Sequence, residues 1–166
     1  RRVTGRAALL AHKQAIMDRL RGAKGCHNLQ MGCMAANGSE TVVHDLQLHM
    51  QLHPNHTLVH LDCANAFNTQ HRFAFLKQVH EHFPALLPLV AQFYLHESDL
   101  LIWGRGGQLR RLKSRSGQQQ GDTLGSFLFC LGIQPILESA HTQWPAVLIR
   151  AICDDIHLAG PVLPTW

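Results

Sequence analysis

Two aspartates side by side, Asp154-Asp155, break an apolar stretch near the end of the chain. Ala151-Ile152-Cys153 precedes them and Ile156-His157-Leu158 follows. Strands avoid Asp, so the pair reads as a turn between two strands, residues 147–153 and 156–159. A link that short joins antiparallel neighbours, because parallel strands need a long crossover. Gly104, Gly106 and Gly107 give a second hairpin signal between residues 100–103 and 108–112. Two hairpins in a chain with helical periodicity elsewhere predict an α+β fold, an antiparallel sheet with helices packed on one face.

The helical segments follow from the spacing of apolar residues. Leu10, Met17 and Leu20 share one face of a single helix over 5–20, which Gly22 and Gly25 end. Residues 26–38 read as loop. Val42, Val43, Leu46 and Met50 mark a second helix, with Asn37 or Ser39 as cap and Pro54 as stop. Residues 57–62 alternate and are β-prone. Helices over 70–82 and 84–95 follow, the second with Pro84 in its first turn. The charge-free run 123–137 lies in a helix over 122–140 and is too short and too Gly-broken to span a membrane. Hydrophobic residues at 46% and charged residues at 16% exclude a disordered chain. The length of 166 residues suits one domain.

The net charge of +4 permits a polyanionic partner without demanding one. Thirteen His would raise that charge severalfold below about pH 6.5 and strengthen anion binding. Five Cys, odd in number and without a CxxC pair, read as reduced thiols of an intracellular protein. The chain opens on Arg1 and shows no leader pattern.

Asp62 ends the 57–62 strand, as Asp154 and Asp155 sit at a strand turn. Close carboxylates repel unless a cation lies between them. Phosphoryl transfer uses such a cluster to hold two Mg²⁺ ions about 3.5–4 Å apart. On spacing alone the favoured reading is an ordinary turn pair at Asp154-Asp155 and a strand-end residue at Asp62. A second patch, residues 116–125, runs Ser-Gly-Gln-Gln-Gln-Gly-Asp-Thr-Leu-Gly from the second hairpin into the apolar helix. Its Gly residues let backbone approach a flat or anionic ligand, and Gln120 offers donors and an acceptor without charge. A polar loop with a helix cap is the plain alternative.

These residues together resemble a known family. Asp62-Cys63-Ala64-Asn65-Ala66-Phe67-Asn68 resembles the first palm motif of reverse transcriptases, in the DxxNAFN form of non-LTR retrotransposons. Residues 117–129 are similar to the second motif, G-x-x-Q-G-D-P-L-G-P-x-L-F, and Ile152-Cys153-Asp154-Asp155 to the third. All three stand in the family's order. The segment 30–47 also resembles the stretch that precedes the first motif.

The resemblance implies a right-hand polymerase palm with part of the fingers. Residues 1–56 would be fingers and palm-proximal helices, and 57–166 the palm, with the thumb not expected in this sequence. Asp62 and Asp154 would bind two Mg²⁺ ions, or Mn²⁺ in their place, with Asp155 as supporting carboxylate. Phe67 would lie beneath the incoming sugar and exclude a 2′-OH. Gln120 and Gly121 would flank the nascent base pair, and Arg1 would contact the triphosphate. The implied activity is RNA-directed DNA polymerase, with RNA template, DNA primer and deoxynucleoside triphosphates as partners and no membrane. The alternative is an inactive retroelement relic. Ile152 stands where the family has an aromatic, and Thr123 and Ser126 where it has Pro. Arg2 also stands where the Arg1 segment usually has Pro.

Two further groups stand out in the sequence. Arg110, Arg111, Lys113 and Arg115, with Arg105, form the densest basic segment, read as phosphate-tracking or as a solvated hairpin. Cys26, His27 and Cys33, and the run His44, His49, His53, His56, His60, match no closed zinc spacing.

Overall fold

The computed structural model describes residues 2–22, 28–119 and 121–161. The N-terminal helix expected over 5–20 is two helices, α1 (Arg2–Ala11) and α2 (Lys13–Arg21). The break is at His12, whose Nδ1 lies 3.0 Å from the Ala8 carbonyl. That oxygen is also shared with the His12 backbone N–H at a long 3.3 Å. A side chain competing for the same acceptor loosens the helical ladder there. The buried side is Leu9, Ile16 and Leu20, one residue round from the expected Leu10-Met17-Leu20 face, and Leu10 is 60% exposed.

Helix α3 (Gly38–Leu52) follows, then strand β1 (His56–Asp62). Next comes a one-turn helix absent from the sequence expectations, α4 (Ala66–Thr69). Its start is set by Asn65 in the left-handed region, φ 54°, a conformation Asn tolerates better than most residues. Helix α5 (Arg72–His82), a 3-10 turn (Pro84–Leu86) and α6 (Leu87–Tyr94) lead to the hairpin β2 (Ser98–Trp103) and β3 (Leu109–Ser114). Helix α7 (Gly125–Gln143) precedes the hairpin β4 (Leu148–Ile152) and β5 (Asp155–Pro161). Asp122 thus lies before the helix that it was expected to open.

Among the described residues there are two antiparallel sheets, a three-stranded one in the order β1-β5-β4 and the separate pair β2-β3. Alternation along the strands separates the faces of the larger sheet. Ile149, Ala151 and Ile156 turn to one face, where Phe129, Ile133 and Leu137 of α7 cover them. Ala159, Leu148 and Ile152 turn to the other, where Val42 and Leu46 of α3 lie. Helices therefore cover both faces, not one as expected from the short hairpins. Nothing in the local pattern of α3 says which sheet face its stripe will meet.

Helix α7 is the centre of the molecule. Ten of its residues are buried. One side meets the sheet and the other meets Phe75 and Val79 of α5, Phe83 just after it, Val90 and Tyr94 of α6, and Ile16 and Leu20 of α2. A helix apolar on all sides needs partners on all sides. Among the described residues, no helix is long and apolar enough to cross a membrane.

Candidate active site

The sheet register builds the centre of the site. Asp62, the last residue of β1, pairs directly with Asp155, the first residue of β5. Directly opposed residues of an antiparallel pair carry their Cβ atoms about 4.5–5.5 Å apart on the same face. Ile152 pairs with Asp155 across the other hairpin, so Cys153 and Asp154 form the two-residue turn. The register thus brings Asp62 to the end of the sheet that carries Asp155 and the turn residue Asp154. Cys153 has φ 54°, so this turn is held in a conformation that costs a side-chain-bearing residue about 1–2 kcal/mol.

His60 lies two residues before Asp62 on the same face. Its Nε2 is 3.2 Å from Asp155 Oδ1, and its ring stacks on His157 at 4.6 Å between centroids. Asp155 therefore already has a protein partner. The chemistry of the donors suits Mg²⁺, which takes oxygen ligands and typically one or two carboxylates plus substrate phosphates. Among the described residues, no three His, Cys, Asp or Glu side chains converge as a ready-made metal cage. The run His44, His49, His53, His56 and His60 forms no such cage either. His49, His53 and His56 do cluster, with His49 Nε2 2.9 Å from His56 Nδ1. Burial, then His53, His56 and Arg150, push the His49 pKa down.

Phe67, on α4, is half-buried. Its ring stacks on Phe129 of α7 at 4.6 Å and 15°. With Gln119, Gly121, Asp122, Gly125 and Ser126 it lines a cavity of about 260 Å³. The structure thus brings Phe67 and Gly121, from the first and second motifs, to one cavity. The loop is tied to α4 by backbone: Gly117 N–H donates to Gln70 O at 2.9 Å and Gln118 N–H to Phe67 O at 2.7 Å. Gly117 has φ 62°, and a Cβ there would sit 2.2 Å from Phe67 O, so only Gly fits. Tyr94 Oη donates to Asp122 Oδ2, which fixes the far wall. Arg1 and Gln120 lie outside the described residues.

The basic segment is a separate matter. Arg111 and Lys113 face one side of the β2-β3 hairpin and Arg110 the other, by strand alternation. Arg111 pairs with Asp99 at 3.4 Å, and Arg115 with Glu97 at 2.9 Å. Lys113 pairs with both acids, at 2.9 Å and 3.2 Å. Hydrogen bonding to Asp99 and Glu97 raises the Lys113 pKa, and bonding from Lys113 lowers both carboxyls. Three of the four cations proposed for nucleic acid thus already have acidic partners, which the run of basic letters concealed.

Sequence reading missed two residues that organise the site. Buried Arg72 donates to Gly117 O at 3.2 Å, His96 O at 2.9 Å and Ser114 Oγ at 2.9 Å, joining α5, the hairpin and the second-motif loop. Its signal was a charge on the flank of an apolar helix. Gln30 is 2% exposed. Its signal was a lone amide between Leu29 and Met31.

No protein-family profile matches the sequence, and no curated protein matches it. Solved structures do match its shape. Telomerase from Candida albicans, in complex with a TWJ fragment of telomeric RNA, is similar with a TM-score of 0.69 and 9% identity, over 90% of this chain and 29% of that one. Apo telomerase from Candida tropicalis gives 0.68 and 11%, over 95% and 30%. A form of the latter truncated from its C-terminal domain gives 0.69 and 13%, over 96% and 34%. The chain thus spans about a third of the length of these telomerases. At such identities the likeness shows the fold alone, an α+β arrangement shared with part of these telomerases. The neighbours are telomerases, so the likeness does not extend to the non-LTR element type.

Proposed function

We propose that this chain is the fingers-palm part of an RNA-directed DNA polymerase of the non-LTR reverse-transcriptase type. The reading is carried by the β1-β5 register, which sets Asp62 opposite Asp155, the next residue after Asp154. The order of the three motifs supports it, as does the fold shared with part of the telomerases.

In this reading Asp62 and Asp154 hold two Mg²⁺ ions, or Mn²⁺. When bound, the ions activate the primer 3′-hydroxyl and neutralise charge on the departing pyrophosphate. Asp155, whose Oδ1 lies 3.2 Å from His60 Nε2, supports the pair as the third carboxylate of the metal site. Phe67, braced by Phe129, presents its ring below the sugar and leaves no room for a 2′-OH. Gly121, exposed at φ 80° with open space about its Cα, lets template or base pair approach the backbone. Gln120 would read that pair through its amide and Arg1 would meet the triphosphate. Arg110, Arg111, Lys113 and Arg115 meet nucleic-acid phosphates, the last three by exchanging their present acidic partners. RNA template, DNA primer and deoxynucleoside triphosphates are the partners.

A second reading, an inactive relic that keeps the fold, is favoured by Ile152, Thr123 and Ser126 at positions where the family has an aromatic and two Pro. The first experiment is titration of a deoxynucleoside triphosphate with Mg²⁺ into the chain and into Asp62→Asn and Asp154→Asn. Loss of ion-dependent binding in both variants is expected. Equal binding by all three proteins would overturn the assignment of these carboxylates.

A further inference from the structure

We propose that Gln30 is a positioning residue that clips the Cys153-Asp154 turn to the sheet and so fixes the direction of the Asp154 carboxylate. The inference rests on the polymerase reading of Asp154 and adds a residue to which none of the three motifs assigns a role.

Residues 29–31 run parallel to β4 on the side away from β5. Met31 N–H donates to Ala151 O at 2.7 Å, and Ala151 N–H to Leu29 O at 2.8 Å. That bridge points the Gln30 side chain past the end of β4 and into the turn. Its amide meets both backbone groups of Cys153: Oε1 accepts from Cys153 N–H at 2.8 Å, and Nε2 donates to Cys153 O at 3.1 Å. Oε1 also accepts from Gly32 N–H at 2.9 Å. The base of the clip is anchored in turn, since Gln30 N–H donates to Leu20 O of α2 at 3.2 Å.

The sequence around Gln30 is shaped for this contact. A Cβ on Gly32 would stand 2.3 Å from Cys153 N and 2.7 Å from its Sγ. Only Gly at 32 lets the two segments approach closely enough for the amide to reach. Cys153 needs such support. Its φ of 54° is unfavourable for a side-chain-bearing residue, and a two-residue turn has few groups of its own to hold it. A buried amide whose acceptor and donor both engage one residue's backbone restricts translation and rotation of that peptide. Asp154 is the next residue, so the direction in which its side chain leaves the chain is set by the clipped peptide. Partners of this kind, one step removed from an ion, commonly change metal affinity about 10–100-fold when removed.

The test uses the 166-residue chain and Mn²⁺ as the probe, its affinity read by the loss of the free-ion paramagnetic signal. Amide hydrogen exchange at Cys153 is read in parallel. Gln30→Met keeps the length and apolar stem and removes both amide bonds. It is expected to lose protection at Cys153, to keep protection in β4 and β5, and to weaken Mn²⁺ binding about tenfold. The double variant Gln30→Met with Asp154→Asn is expected to bind no more weakly than Asp154→Asn alone, because the clip acts through that carboxylate. A role limited to general stability would not produce that non-additivity. Retained protection at Cys153, unchanged Mn²⁺ affinity, or additive losses in the double variant would each overturn the proposal. Should Gln30→Met fail to fold, Gln30→Glu decides on the same readouts, since it keeps the acceptor and, when ionised, loses only the donor. The reading of the carboxylates fails separately, if Asp62→Asn binds Mn²⁺ as the parent does. In that case loss of Cys153 protection in Gln30→Met still upholds the clip.

Discussion

Replacing Gly117 by Ala separates two costs that glycine normally hides together. Gly117 sits at φ 62° and Gly121 at φ 80°, so both substitutions meet the left-handed penalty, roughly 1–2 kcal/mol. Their surroundings differ. A Cβ at Gly117 would lie 2.2 Å from Phe67 O and 2.4 Å from Asn68 C, all backbone, whereas a Cβ at Gly121 meets nothing within 4 Å. Relief at Gly117 requires the loop to leave α4. That breaks the bonds from Gly117 N–H to Gln70 O and from Gln118 N–H to Phe67 O, worth about 1 kcal/mol each. Gly117→Ala is therefore expected to cost about 3–4 kcal/mol and Gly121→Ala about 1–2 kcal/mol. Urea unfolding of the two variants and the parent, with equal m-values, reads the difference directly. Equal losses in the two variants would refute the close approach of the loop to α4. The cavity that Phe67 shares with the loop would then lose its structural basis.

In a polymerase carrying this palm, Phe67→Val is expected to admit ribonucleotides, lowering the deoxy-to-ribo ratio of kcat/KM, while Asp62→Ala lowers the overall rate more. An unchanged ratio removes Phe67 from sugar selection. The 166-residue chain by itself is expected to extend a primed RNA no further than its Asp154→Ala variant. Holding a primer end in line with a nucleotide supplies about 7–11 kcal/mol, and the chain spans only about a third of the telomerases that it matches. Burial, then Cys153, pushes the Cys33 thiol from 9.0 to about 12. The unfolded chain loses that proton first, so this contribution is intact below about pH 9 and stability falls as pH rises toward 12. The urea midpoint of Cys33→Ala should fall less steeply than the parent's over that interval, and parallel slopes would exclude Cys33 as the cause.

The sequence by itself determined what depends on neighbours along the chain. Apolar spacing placed the longer helices, though not the break at His12 or the one-turn α4, and Gly or Asp between apolar runs placed both hairpins. Burial of most of the 123–137 run follows from its having no charged side, although Ile136 stays 66% exposed. The aspartates could be picked out because a charged residue in a β-prone stretch needs a reason. Tertiary structure alone decided what depends on neighbours across space. Asp62 meets Asp155 because β1 docks on β5 in one register, and a slip of one residue would turn every side chain of β1 to the other face. Helix α3 covers the second face of the sheet, although its apolar stripe would suit either. Lys113 and Arg111 lie against Asp99 because the hairpin folds those letters together, which a count of charges does not reveal. Gln30 reaches Cys153 from the far side of β4, through a two-bond bridge that no periodicity marks. Local propensity is set by the few atoms around each residue and recurs in any sequence with the same pattern. Register, facing and long-range hydrogen bonds are set by the burial that all elements achieve together.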